Sequence, residues 1–182
     1  MAHRFLQPVL HGQAICVDAT LGHGRDAFFF LEKGVRHVYA FEIQPDLLAE
    51  CQKHLPDSRF HPFLKSHAEM EKCLPQGSAV DAVIFNFGYD PKTMAGICTE
   101  APESLKAVQA AARLLKSRGR MSLVFYPHAA GSEEKAVILD WLALQPDLEV
   151  LRIEHPFKEH APSLVCIEKK PSRKPGKGAG PL

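Results

Sequence analysis

Along this chain, short runs of β-branched and aromatic residues alternate with longer stretches whose apolar positions recur every three or four residues. The short runs predict strands at Ile15–Thr20, His37–Ile43, Arg59–Leu64, Ala82–Phe87, Met121–Tyr126, Glu149–Glu154 and Ser163–Glu168. Three of them (AVIFNF, MSLVFY, SLVCIE) are apolar almost without interruption, the pattern of strands covered on both faces. Helices are predicted over Arg25–Lys33, Pro45–His54, His67–Leu74, Ala101–Lys116 and Ser132–Gln145. The longest places Leu105, Val108, Ala112 and Leu115 at helical spacing, with Gly119 just beyond its end. Pro45 suits a first helical turn, where its missing N–H has no partner to lose. Strand–helix alternation of this kind predicts an α/β fold, a mostly parallel sheet with helices on both faces. Ligands of such sheets bind at the carboxyl ends of the strands.

Length and composition narrow the picture. The 182 residues fit one domain able to bury its own core, and 46% hydrophobic with 24% charged residues is ordinary for a globular protein. No run approaches the roughly 18 apolar residues of a membrane span, and the opening MAHRFLQPVLHG lacks a signal peptide's apolar segment, so a cytoplasmic protein is expected. The five cysteines are scattered, with no CxxC pair, which argues against a disulfide framework or a zinc site. Cys16 and Cys166 lie in apolar runs and are expected in the core. The ten histidines show no spaced ligand set, so no metal is expected, and only His67 and His128 stand where chemistry is expected.

The formal charge of +1 is unevenly spread. After Glu168 come Lys169, Lys170, Arg173, Lys174 and Lys177 and no acid; taking these five from 22 basic residues leaves 17 against 21 acidic ones, or −4 for residues 1–168. The domain is therefore expected over 1–170, with a basic Pro/Gly-rich disordered tail at 171–182. Such a tail either attracts phosphates through counterion release or merely solubilises the chain.

The predicted strand ends carry the candidate chemistry. The first runs into Val17-Asp18-Ala19-Thr20-Leu21-Gly22-His23-Gly24-Arg25-Asp26. Its two glycines permit a tight turn and a close backbone approach before a helix, but Asp26 stands where a dinucleotide fingerprint would have its third Gly. Asp18 is poorly placed for a pyrophosphate and well placed for a cationic amino group, which favours the amino-acid end of S-adenosylmethionine over NAD. The second strand ends at Glu42-Ile43, and Glu42 follows Asp18 by 24 residues, near the spacing of an acid that accepts from ribose hydroxyls. The competing reading is a merely structural Gly turn.

After the third strand, Ser66-His67-Ala68-Glu69 borders the expected adenine position, although Ser66 fits a helix cap better. The fourth ends Asn86-Phe87-Gly88-Tyr89-Asp90-Pro91. A polar Asn inside an apolar strand needs a buried partner or a ligand. The segment is similar to the Asn-Pro-Pro-Tyr loop of methyltransferases acting on nitrogen; the alternative is a turn Asn bonded to backbone. The fifth strand leads to His128, in a loop where it either takes a proton from an amine or simply shapes the turn.

Taken together, DATLGHGRD (18–26), FEIQ (41–44), SHAE (66–69), IFNFGYDP (84–91), ICTEAPESLKAVQAAARLL (97–115), FYPHAAGSEEK (125–135) and PSLVCIEKK (162–170) resemble the bacterial rRNA methylase family that includes the tRNA 5-aminomethyl-2-thiouridine methyltransferases. The resemblance implies a Rossmann-like class I methyltransferase fold with seven strands, the last antiparallel. It implies methyl transfer from S-adenosylmethionine to the exocyclic amine of a modified wobble uridine in tRNA. The cofactor would be held by Asp18, Thr20, Gly22, Gly24 and Asp26 of the first loop, by Glu42 and Ile43, by Ser66 and His67, and by Asn86. Asn86, Tyr89 and His128 would act on the acceptor, with Gly88, Pro91, Thr99 and Ser104 lining its entrance. The chain departs from the usual family pattern at His23, Ala27, Asp90, Pro127, Ala129 and His160. Another RNA site, a small-molecule amine, or a non-catalytic cofactor- or RNA-binding module remain the alternatives, and the oligomeric state stays open, a homodimer included.

Overall fold

The computed structural model describes residues 1–87, 101–127, 129–158 and 161–171. Its strands are β1 (Ile15–Asp18), β2 (His37–Glu42), β3 (Phe60–Leu64), β4 (Val80–Phe87), β5 (Leu115–Phe125), β6 (Leu148–Ile153) and β7 (Ser163–Lys169). They form one sheet in the order β3-β2-β1-β4-β5-β7-β6. The first five run parallel, and β7 inserts antiparallel between β5 and β6. The helices are α1 (Ala2–Leu6), α2 (Arg25–Glu32), α3 (Pro45–His54), α4 (Met70–Cys73), α5 (Ala101–Leu114) and α6 (Ala129–Ala143), with 3-10 turns at Gln7–Val9 and His67–Glu69. The expected class I methyltransferase sheet is therefore present, including its antiparallel last strand. No helix among the described residues is long and apolar enough to cross a membrane.

Alternation along the strands divides the interior into two cores. In β4, Val83, Phe85 and Phe87 enter the cluster with α5 and α6, while Ala82 and Ile84 enter the one with α1, α2 and α3. β1 does the same, with Val17 on the first side and Cys16 on the second. A period of two then sends residue 86 toward α1 and α2. The chain winds outward from β1 through β2 to β3 and restarts on β1's other side with β4, so the strand order reverses between β1 and β4. That crevice is where doubly wound sheets bind ligands.

Several elements differ from expectation: α6 begins at Ala129 instead of Ser132, and the helix expected over His67–Leu74 opens as a 3-10 turn. The N-terminal helix α1 was not foreseen: at five residues it is too short to show a period, and among its side chains only Leu6 is buried. It is held tertiarily, since Arg120 Nη1 donates to the Phe5 carbonyl at 2.8 Å and the guanidinium lies 4.9 Å from the Phe5 ring centroid. The long helix stops at Leu114 instead of Lys116, because Leu115 already pairs with Val80. The register then jumps, with Ala82 opposite Arg120, so residues 116–119 bulge out of β5. Arg118 takes φ 63° in the bulge, and Lys116 reaches back to Asp81 Oδ2 at 2.7 Å.

The first two basic residues after Glu168 are anchored on the fold. Lys169 Nζ donates to the carbonyls of Ala112 and Arg113 at the end of α5, a cation on the negative pole of a helix. Lys170 Nζ donates to the Pro146 carbonyl at 3.0 Å. The disorder expected further on, at 171–182, falls from 172 onward outside the described residues.

A Cβ at Gly119 would lie 2.9 Å from the Lys116 carbonyl oxygen and 3.0 Å from Leu115 Cδ2. Gly119→Ala is therefore expected to lower unfolding free energy by roughly 1–3 kcal/mol, read as a drop in the urea midpoint at unchanged slope.

Candidate active site

At the reversal point the first loop is built around a buried carboxylate. Asp18, at the end of β1, has no solvent exposure. Its Oδ1 accepts from the Thr20 N–H at 3.2 Å and its Oδ2 from the Ala27 N–H at 3.0 Å, in the first turn of α2. Burial, then the neighbouring Asp26 charge, push the Asp18 carboxyl above its usual range, opposed by those two N–H groups. Asp18, expected at the cofactor, is enclosed in this structure and closes the loop on α2. The acid that stays partly open is Asp26, 15% exposed.

Asp26 Oδ1 lies 2.5 Å from His3 Nε2, and its Oδ2 accepts from Asn86 Nδ2. The Asn86 backbone N–H donates to Thr20 Oγ1 at 2.7 Å. Thr20, Asp26 and Asn86, expected in one site, are thus brought into direct contact. The partner that Asn86 needed is a carboxylate and not backbone.

The glycines do separate work. Both have positive φ, 49° at Gly22 and 75° at Gly24, which only glycine adopts readily. At Gly24 a Cβ would also press on Cys51 Sγ and Leu55 Cδ1, each at 3.1 Å. The Gly22 N–H donates to Glu42 Oε2 at 3.0 Å, and its carbonyl accepts from Cys51 Sγ. Cys51 was not singled out from the sequence; burial pushes its thiol up to about 11, so it stays a neutral donor beneath the turn. Glu42 Oε1 takes the N–H groups of Ile43 and Gln44 at 2.8 and 2.9 Å. A carboxylate offers about four acceptor directions, so these three leave one for a hydroxyl. Ile43 beside it is 54% exposed, an apolar face at the end of β2.

The third loop closes the floor. Ser66 Oγ caps the 3-10 turn by accepting from Ala68 N–H at 3.2 Å. His67 is buried; its Nδ1 lies 3.1 Å from the Ala19 carbonyl, which can only accept, so Nδ1 carries the hydrogen. Its ring meets Phe85 and Phe87 edge-on. Burial holds its pKa below the ordinary value.

Ser104, expected at an entrance, is fully buried and its hydroxyl donates to Glu134 Oε1 between α5 and α6. Its position in the first turns of a helix packed on the sheet decides this. Gly88, Tyr89, Pro91, Thr99 and His128 lie outside the described residues, as do Asp90 and His160. Beside the carboxyl end of β5, a cleft of about 250 Å³ is lined by Tyr126, Pro127, Lys135, Glu154, His155 and Pro162, among others. Among the described residues, no group of three or more His, Cys, Asp or Glu side chains could hold a metal ion.

A left-handed glycine cradle, an acid with one acceptor direction left, an apolar face next to it and a partly open carboxylate fit a nucleoside joined to a cationic amino-acid tail. The sheet order is that of the Rossmann-like class I methyltransferases, whose cofactor this site fits. The family model described as "Putative rRNA methylase" matches residues 38–169, and the chain belongs to that family. The "putative rRNA-methylase from Clostridium thermocellum" is 31% identical, with TM-score 0.84 over 92% of this chain and 94% of that one. A "putative methyltransferase from Streptococcus mutans in complex with SAH" is 29% identical, with TM-score 0.83 over the same shares. A chloroplastic tRNA (mnm(5)s(2)U34)-methyltransferase of Arabidopsis thaliana is 33% identical over 154 residues, 76% of this chain. The chain spans only 56% of that relative's length.

Gly24→Ala should weaken S-adenosylhomocysteine binding by about tenfold or more, since strain at positive φ and the crowding over Cys51 both distort the loop; titration calorimetry measures it. His67 generates a pH prediction. The unfolded state takes up a proton as pH falls through the ordinary value of 6.5, and the fold does not until lower pH. Stability attributable to His67 is therefore complete above that value and is lost below it, by at most about 1.4 kcal/mol per pH unit. Urea midpoints at pH 7.5 and 5.5 should differ more in the wild type than in His67→Gln.

Proposed function

We propose that the chain transfers the methyl group of S-adenosylmethionine to an amine in RNA, specifically the 5-aminomethyl group of a 2-thiouridine at the tRNA wobble position. The observation that carries the reading is the orientation of Asn86. Its amide nitrogen faces a carboxylate, which can only accept, so the donor end is fixed there and Oδ1 is the end left for an acceptor N–H. The family match and the name of the Arabidopsis relative support RNA and the wobble uridine as the substrate.

The bound cofactor supplies an electrophilic methyl on a sulfonium. Glu42 would take a ribose hydroxyl, the backbone at Gly22 and Gly24 would approach the amino-acid part, and Ile43, Ser66 and His67 would border the purine. Asp26, in place of the enclosed Asp18, would meet the cationic amino group. The attacking amine gains positive charge as its lone pair forms the new bond. An N–H···O bond to Asn86 Oδ1 therefore strengthens toward the transition state, which is the differential binding that accelerates a reaction. Tyr89 and His128 complete the acceptor side in this reading, Tyr89 flanking the base and His128 or solvent taking the released proton. The cleft by Tyr126 and Lys135 offers the neighbouring nucleotide an aromatic face and an ammonium, the latter shared with Glu154.

Labelled S-adenosylmethionine and bulk tRNA from cells lacking this activity test the proposal, with nucleoside analysis of the product. Methyl label in the 5-aminomethyl-2-thiouridine fraction is expected, and Asn86→Ala should reduce kcat by about 10²-fold. No incorporation by a protein that still binds S-adenosylhomocysteine would discard the wobble-uridine substrate.

A further inference from the structure

The site receives one side chain from a helix that the cofactor loops do not include. We propose that His3, on α1, is a positioning residue that fixes the orientation of the Asn86 amide through Asp26. The inference rests on the reading that the acceptor amine meets Asn86 Oδ1.

His3 is placed by two contacts on one face of α2. Asp26 and Phe29 are three residues apart and so neighbours on that face. The His3 ring stacks on Phe29 with centroids 3.8 Å apart and planes 3° from parallel, while Nε2 meets Asp26 Oδ1 at 2.5 Å. A carboxylate oxygen accepts, so Nε2 carries the hydrogen. The stack fixes the ring plane, and the docking of α1 through buried Leu6 and the Arg120 bond to the Phe5 carbonyl fixes where the ring starts from.

Asp26 stands in the first turn of α2, where unpaired backbone N–H groups compete for any free carboxylate. The His3 bond holds Oδ1 on the α1 side, which leaves Oδ2 on Asn86 Nδ2. Released from His3, the carboxylate can turn to its own helix end, and the Asn86 amide loses what tells its two ends apart. A flipped amide presents N–H to the amine and repels it. His3 acts on the Asn86 amide through Asp26.

His3→Phe keeps the stack and removes the donor; His3→Gln removes the stack and keeps a donor. The side-chain amide signals of Asn86 in 15N–1H spectra of the free protein report orientation without any substrate. In His3→Phe they are expected to shift and lose protection from solvent exchange, as in Asp26→Ala, and to recover in part in His3→Gln. With tRNA as acceptor, His3→Phe should lower kcat about tenfold, with His3→Gln recovering part of the rate. Amide signals unmoved in His3→Phe, or full kcat in that variant, would overturn the proposal. If the wild-type protein transfers no methyl to tRNA, the substrate reading fails, and the amide signals alone decide the role of His3.

Discussion

The Asp18 carboxylate and the two backbone N–H groups it accepts set the geometry on which the site is built. A buried carboxylate without partners costs several kcal/mol, so the loop must bring donors to it. The Thr20 N–H and the first turn of α2 are those donors, and satisfying Asp18 fixes where the strand ends, where the helix begins and how the loop between them curves. The curve then demands positive φ at Gly22 and Gly24, aims the Gly22 N–H at Glu42, and turns Thr20 Oγ1 toward the Asn86 backbone. One enclosed carboxyl group thereby ties β1, β2, β4 and α2 at their common end.

The sheet then decides which groups meet. Past the irregularity at Val80, odd positions of β4 (Val83, Phe85, Phe87) enter the core under α5 and α6, and even positions (Ala82, Ile84) face α1 and α2. Asn86 falls on the even side, one place past Phe85, and so arrives beside Asp26, 60 residues away in sequence. Shifting the strand by one residue would exchange Asn86 for a phenylalanine and abolish the contact. Hydrophobic alternation, which exists to fill two cores, is also what selects the polar side chain at the reversal point.

The order of elements, the parallel sheet and the loops bearing chemistry were legible because they follow from local periodicity and turn chemistry. Strand boundaries agree with the structure to within two residues for every strand except β5, whose early pairing with Val80 at Leu115 depends on a bulge that no local pattern marks. Asp18, Glu42 and Asn86 stand out as polar residues at the ends of apolar runs, and all three lie at the carboxyl ends of β1, β2 and β4. Their individual roles were less readable. Asp18 looked available and is enclosed; Ser104 looked like an entrance residue and is buried against Glu134. Cys51 and His3 carried no motif, and each matters through a contact with a distant loop.

What the sequence by itself determined is the set of candidate residues and the end of the sheet they occupy, because side-chain period and glycine placement are local properties. What only the tertiary structure decided is the pairing among them: which carboxylate keeps an open side, which end of the Asn86 amide is fixed, and that a histidine near the start of the chain reaches the same crevice. Those outcomes depend on distances between segments 20 to 66 residues apart, and such distances are set by sheet order, register and helix docking together, not by any single stretch of chain.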